Sequence, residues 1–210
     1  MAELIFGCAE VRNKRRTATP TLTFVLDIGE RTGVKIHSIA LRCQIRIEPL
    51  KRQYSDEEAE RLADLFGDPS RWAETQKPIQ LAMVSTIVTG FTERTQTEVE
   101  VPVTYDLEVA SARYLQALDD GTIPLILLFS GTVFTENGDR ISVELVPWSS
   151  ETTTRMPVSV WHDVVDQHFP GSAWLACRRE TLDELLAFKA SRALPTWDAT
   201  LTALLKEAQA

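Results

Sequence analysis

The sequence predicts a mainly β fold with helices added: an immunoglobulin-like antiparallel β-sandwich with inserted helices, followed by a C-terminal helical subdomain. Three stretches carry that expectation. Leu125–Phe129 is an unbroken apolar run between Pro124 and Gly131, which reads as a strand covered on both faces at the centre of a sheet. Asn137-Gly138 follows, a pair that tolerates positive φ and signals a hairpin. Between residues 39 and 48, Ile39, Leu41, Cys43, Ile45 and Ile47 alternate with Ala40, Arg42, Gln44, Arg46 and Glu48. A slip of one residue there would bury both arginines, so the register is specified. The competing arrangement is an α+β fold, a single antiparallel sheet backed by helices.

Taken in order, residues 3–11 and 21–28 are the first strands, the second with Leu22, Phe24, Leu26 and Ile28 on one face. Pro49 ends the 39–48 strand. Ser55 and Glu58 have capping-box spacing and open a helix whose apolar side is Leu62, Leu65 and Phe66. Asp56, Glu57 and Glu58 point around that helix instead of converging, which suits a favourable helix dipole and not a metal. Strands follow at 79–91 and 97–105; Pro102 removes a ladder donor from the latter and predicts an edge position or a bulge. Asp106 caps a short helix bearing Leu107, Ala110, Tyr114 and Leu118. After the 123–134 strand, Ile141, Val143 and Leu145 alternate with Ser142 and Glu144, a half-exposed partner. Seven strands by residue 148, with helices in two connections, suit the two-sheet sandwich.

Domain boundaries are expected at 148 and 157. Residues 1–148 form the sandwich with two helical insertions and 149–156, SSETTTRM, a polar linker. Residues 157–210 form a helical subdomain docked on the sandwich. Its helices are a first with Val160, Trp161, Val164 and Val165, a second capped by Thr181, and a last containing Trp197, Leu201, Leu204 and Leu205.

Composition narrows the function classes. A net charge of −8 disfavours nucleic acid and anionic membrane surfaces, which require a positive field. Arg12, Lys14, Arg15 and Arg16 lie between two strands and read as a solvated turn. No apolar run reaches 18 residues and no basic segment precedes the short apolar run at the start, so neither a membrane span nor a secretory signal is read. Cys8, Cys43 and Cys177 are odd in number and form no CxxC pair, which fits free thiols in a reducing cytoplasm. Cys43, on an apolar strand face, reads as a core residue.

The motifs of phosphate loops, dinucleotide folds, nucleophile elbows and zinc sites are absent from the sequence. The reading is therefore no catalytic residue, no cofactor and no metal. Were a metal site to be built, it would use His162 and Asp166, four residues apart on one helix side, with His168 about 240° round from His162. His37 and Ser38 are adjacent in a strand and face opposite ways, so they are no catalytic pair. Trp72, Trp148, Trp161, Trp174 and Trp197 suit packing, or interface anchoring where exposed. The partner-binding candidates are Arg71 and Trp72 in one loop, and Trp197 on the terminal helices.

The segments IHSIALRCQIRIEP, LFGDPSRWAET, VTYDLEVASARYLQAL, IPLILLFSGTVF, HFPGSAWL and LPTWDATLTALL together resemble an uncharacterised bacterial family of about this length. Its genes are typically found beside those for high-affinity, actinobacterial-type nickel–iron hydrogenases. The family carries no assigned activity, so the resemblance transfers no catalytic residue. What it implies is a partner: a hydrogenase subunit, its precursor or a maturation factor. The expected function is a non-enzymatic accessory or assembly protein acting by protein–protein contact in the cytoplasm, without nucleic acid or membrane insertion, self-association being left open. The competing expectation is an enzyme or metal carrier using His162, Asp166 or the free cysteines.

Overall fold

The computed structural model describes residues 2–103, 109–137, 140–171 and 177–209, with backbone only at Val109, Ala110 and Asn137. The chain is a mixed α and β protein with antiparallel sheets. It divides into two compact units, Met1–Ser172 and Ala173–Ala210.

The first unit holds every described strand: β1 (Leu4–Asn13), β2 (Thr21–Glu30), β3 (Ile36–Ile47), β4 (Ile79–Phe91), β5 (Arg94–Pro102), β6 (Thr122–Asn137), β7 (Arg140–Leu145) and β8 (Glu151–Pro157). One sheet has the order β1-β2-β5 and the other β4-β3-β6-β7, with β8 also on β6. The alternation of β3 is realised residue by residue. Ile36, Ile39, Leu41, Cys43, Ile45 and Ile47 are buried, while Arg42 is exposed and Gln44 and Arg46 are half-buried.

The apolar run of β6 is covered less evenly than the sequence suggests. Leu125, Leu127 and Phe129 are buried, but Ile126 and Leu128 on the opposite face are only half-buried. Along one edge β6 pairs with β3; along the other it pairs with β8 over 122–128 and with β7 over 132–137. The pairs Ile45↔Leu127 and Cys43↔Phe129 fix the register. Gly131 (φ 145°) lies so close to β3 that a Cβ there would be 2.0 Å from the Ala40 carbonyl oxygen, so this position requires glycine. Asn137 faces Arg140 across the β6–β7 hairpin, whose turn residues Gly138 and Asp139 lie outside the described residues.

Two expectations change. Residues 149–156, read as a linker, are for the most part β8: Glu151–Pro157 pairs antiparallel with β6, and Met156 is buried. The polar composition misleads because Thr152, Thr153 and Thr154 are β-branched and suit a half-exposed strand. The strand β7, expected to be half-exposed, is exposed along nearly its whole length, with Ile141, Val143 and Leu145 all in solvent and only Glu144 half-buried.

In the three-stranded sheet Leu22, Phe24, Leu26 and Ile28 of β2 are buried with Val99 and Val101 of β5 and Phe6 and Val11 of β1. The Phe6 ring stacks on Phe129 of the other sheet, centroids 4.3 Å apart and planes 17° apart. The buried residues of both sheets belong to one core. Pro102 ends β5 at the edge of its sheet, where the missing donor costs no ladder bond, and the next donor, Val103 N–H, reaches the Pro20 carbonyl at 2.7 Å.

Glu30, buried at the end of β2, gathers the start of the chain and the following turn. Its carboxylate accepts hydrogen bonds from the N–H groups of Glu3, Thr32 and Val34, each at 3.0 Å, and from Thr32 Oγ1 at 2.6 Å. Burial alone would raise its pKa; these hydrogen bonds outweigh that and hold it at about 2.

Among the described residues the unit has four α-helices: α1 (Asp56–Phe66), α2 (Trp72–Thr75), α3 (Val109–Gln116) and α4 (Val158–His168). The capping box at α1 forms as its spacing predicts, Glu58 N–H donating to Ser55 Oγ at 3.2 Å and Ser55 N–H to Glu58 Oε2 at 3.3 Å. On α3, Tyr114 and Leu115 are fully buried; the cap assigned to Asp106 lies outside the described residues, as does Leu107. On α4, Val158, Trp161 and Val164 are buried. This helix therefore belongs with the sheets and not with the terminal helices, and the compact unit runs on to Ser172.

The second unit contains α5 (Arg179–Ser191) and α6 (Trp197–Ala208). Thr196 caps α6, its hydroxyl accepting from Ala199 N–H at 3.1 Å. The helix expected to be capped by Thr181 starts earlier, with Arg178 at its N-cap and no side-chain cap bond. An Arg192–Glu207 ion pair of 2.7 Å links the two helices within the unit. Among the described residues no helix is long and apolar enough to cross a membrane.

Two predictions test this core. Ile45→Ala, at a position with no exposure, lowers unfolding stability by about 2–5 kcal/mol, read from the urea midpoint; an unchanged midpoint refutes the inward face assigned to β3. Glu30→Gln costs about 1–2 kcal/mol at neutral pH. Because the folded pKa is depressed, that contribution is present above the unfolded value near 4.5 and is lost as pH falls toward 2. Wild-type and variant stabilities, measured by denaturation from pH 7 down, therefore converge in acid.

Candidate functional site

A groove of about 1150 Å³ opens between β1 with its following turn and α4, lined by Arg12, Lys14, Arg155, Asp163 and Asp166 among others. Asn13 holds the helix to the strand, Nδ2 donating to the Asp163 carbonyl at 3.2 Å and to Gln167 Oε1 at 2.8 Å. The three residues on which a metal site would be built are on this helix but do not converge. His162 Nε2 faces the Leu118 carbonyl at 3.2 Å. Both ring nitrogens of His168 face carbonyls, Nδ1 that of Val164 at 3.2 Å and Nε2 that of Thr17 at 2.9 Å. Asp166 is exposed on the groove wall. Among the described residues no three His, Cys, Asp or Glu side chains are grouped to hold an ion.

Two of the four basic residues of the turn are ion-paired. Arg12 pairs with Glu98 and Lys14 with Glu100 across the three-stranded sheet, and all four side chains are substantially exposed. With Glu10, Asp163 and Asp166 also on its walls, the groove has mixed charge and no anion-attracting field.

The cysteines are separated by environment. Burial pushes the Cys43 thiol up to about 12, and burial also raises half-buried Cys8, whose Sγ donates to the Glu10 carbonyl at 3.6 Å. Both stay protonated at neutral pH and are neither nucleophiles nor ready metal ligands. Cys177 is exposed.

Arg71 and Trp72, adjacent in sequence, have different roles. Arg71 is exposed beside Glu74, 3.5 Å away. Trp72 is half-buried: its Nε1 donates to the Gly67 carbonyl at 2.9 Å, and its ring meets Tyr54 and Phe66 edge-on at 5.2 Å and 5.8 Å. It anchors α2 to the end of α1.

Behind that aromatic cluster lies a group that pattern reading missed. Arg52, almost entirely buried, donates from Nη2 to Glu58 Oε1 and to the Asp120 carbonyl, both at 2.6 Å, and from Nη1 to the Thr122 carbonyl at 2.8 Å. Glu58 Oε1 also accepts from Asp119 N–H at 2.9 Å. Tyr54 and Tyr114 share a 2.9 Å hydroxyl bond beside it, and burial raises both phenols, Tyr114 to about 12, so neither is an acid or base at neutral pH. The signal available was the capping box itself, since its glutamate has a second oxygen to satisfy. The arrangement ties the start of β6 to α1, a structural task.

In the second unit Trp197 is the first residue of α6 and 40% exposed, with Leu201 and Leu205 one and two turns further along. Leu182 and Leu186 of α5 are also exposed. The helix pair thus leaves an apolar stripe in solvent.

The Arg52 arrangement generates a prediction. Arg52→Ala leaves the Glu58 carboxylate buried without its cation and lowers stability by about 3–5 kcal/mol, measured by chemical denaturation. A change below about 1 kcal/mol, the value of an exposed pair, would contradict the burial described here.

No curated protein matches the chain. Solved structures with local similarity include β-glucosidase 3B from Thermotoga neapolitana in complex with α-D-glucose, at 12% identity over 73% of this chain and 17% of that one, TM-score 0.26. Another is the β-glucosidase from Kluyveromyces marxianus, at 11% identity over 74% and 15%, TM-score 0.26. The chain thus spans less than a fifth of either enzyme, and superpositions this loose carry no argument about fold or activity. At the level of sequence family the match extends over residues 1–210. The chain belongs to a family of unknown function, DUF6084.

Proposed function

We propose that this protein is a non-enzymatic accessory or assembly factor acting by protein–protein contact in the cytoplasm, tied to nickel–iron hydrogenase maturation or complex formation. The observation that carries the contact reading is the apolar stripe of α5 and α6. Leu182, Leu186, Trp197, Leu201 and Leu205 are between 38% and 63% exposed on a helix pair too short to bury them by itself. A rigid indole flanked by leucines is the kind of surface that supplies binding energy when a partner covers it. The hydrogenase link rests on the sequence resemblance. We further assign the strands to an immunoglobulin-like sandwich: the order β1-β2-β5 facing β4-β3-β6-β7 suits that class, and the Phe6–Phe129 stack supports face-to-face packing.

The test is affinity capture of the full chain from its native host while hydrogenase is being made. Wild-type protein retains a hydrogenase subunit, precursor or maturation factor, and Trp197→Ala combined with Leu205→Glu loses it. Deleting the gene lowers cofactor-loaded, active hydrogenase at unchanged transcript. Wild-type hydrogenase activity in the deletion strain, with no hydrogenase component captured, refutes the proposal.

A further inference from the structure

The outer face of the five-stranded sheet carries an aliphatic surface that no expectation from sequence covers. Cross-strand register aligns Ile87 of β4, Ala40 of β3, Thr132 of β6 and Leu145 of β7 in one row. The row is large, small, small, large. Period-2 alternation puts Met83 on the same face of β4 as Ile87, and Val143 and Ile141 on the same face of β7 as Leu145. Two aliphatic ridges thus flank a floor of Ala40, Ser85, Ser130, Gly131 and Thr132, forming a shallow trough of about 480 Å³. The ridges stand three strand spacings apart, about 14 Å.

We infer that this face is the interface of a homodimer, the β7 ridge of each copy lying in the trough of the other. Three features favour a second copy. The patch contains both parts of a complementary fit, a ridge of branched aliphatics and a trough walled by aliphatics, as a two-fold interface demands. Its size is also right. Met83, Ile87, Ile141, Val143 and Leu145 are each more than half exposed. Together they leave on the order of 500 Å² of apolar surface, near the upper limit for a monomer; with the polar floor, the face approaches the roughly 800 Å² per partner of a standard interface. The third feature is charge. Arg42 is the one charged residue among those lining the trough. The carboxylate nearest the ridge, Glu136 opposite Ile141, is already paired with Lys35 at 2.7 Å, so two copies of a chain carrying −8 meet there with little like-charge repulsion. Trp148, 95% exposed in the connection from β7 to β8, adds a natural anchor beside the ridge in sequence.

Sedimentation velocity of the full chain across a wide concentration range tests the inference. Wild type forms a dimer. Ile87→Glu and Leu145→Glu each raise its dissociation constant about tenfold or more. Unfolding midpoints measured at concentrations where the chain is monomeric stay unchanged, because the two side chains are 65% and 77% exposed. Ile5→Glu, at an exposed position on β1 of the other sheet, leaves the dimer as in wild type. Should a glutamate variant fail to fold, Ile87→Thr and Leu145→Thr, which keep β propensity, serve in its place and weaken the dimer in the same direction. A chain that stays monomeric throughout overturns the inference. So does a dimer that both ridge substitutions leave intact, since it would be using another surface.

Discussion

Hydrogen bonding to β6 is the constraint from which the first unit follows. Three strands, β3, β7 and β8, pair directly with it, and β4 joins the sheet only through β3. The strand must therefore be long enough to serve two partners in tandem along one edge. It must also be flat enough at Gly131 for β3 to approach on the other, where any side chain would strike the Ala40 carbonyl. The registers of β3, β7 and β8, and with them the faces that Cys43, Val143 and Met156 present, are fixed by this one ladder.

The start of β6 is held by a different kind of force. Arg52 reaches the carbonyls of Asp120 and Thr122 and is neutralised by Glu58, the residue that also caps α1. Burying an ion pair gives little net stability, because desolvation offsets the attraction. Its value is geometric: a charge in the interior tolerates few alternative positions for the backbone around it. Glu30 does comparable work at the end of β2 with N–H donors instead of a cation. The two glutamates fix chain paths that apolar packing alone would leave loose.

Strands with strict alternation were legible from sequence, because burial of one face leaves a period of two. The faces of β3 and the core side of β2 follow directly from it. Capping at Ser55 was legible for the same local reason. What escaped was set by neighbours distant in sequence. Glu151–Pro157 has linker composition and becomes a strand because β6 offers an unpaired edge. The alternation of β7 is visible, but nothing in it tells that the apolar side faces solvent. Of the partner-binding candidates, Trp197 is accessible, whereas Trp72 is engaged with Tyr54 and Phe66; aromatic residues near helix ends look alike until their neighbours are known. His162, Asp166 and His168 have ligand-like spacing, but spacing cannot reveal carbonyls supplied by Leu118 and Thr17.

The tandem arrangement on β6 also bears on how the chain is made. Synthesis delivers β3 and then, after a long interval containing α1, α2 and another sheet's strand, delivers β6. The central ladder thus closes late, as in folds dominated by distant pairings, which are slow to form. Even then the first half of β6 lacks its second neighbour until Glu151–Pro157 has emerged. During that interval a strand with an unbroken apolar run presents a row of open amides and carbonyls, the template on which nascent chains associate. Release from the ribosome before β8 has docked would convert a folding intermediate into an aggregate, and the segment of plainest composition guards against it.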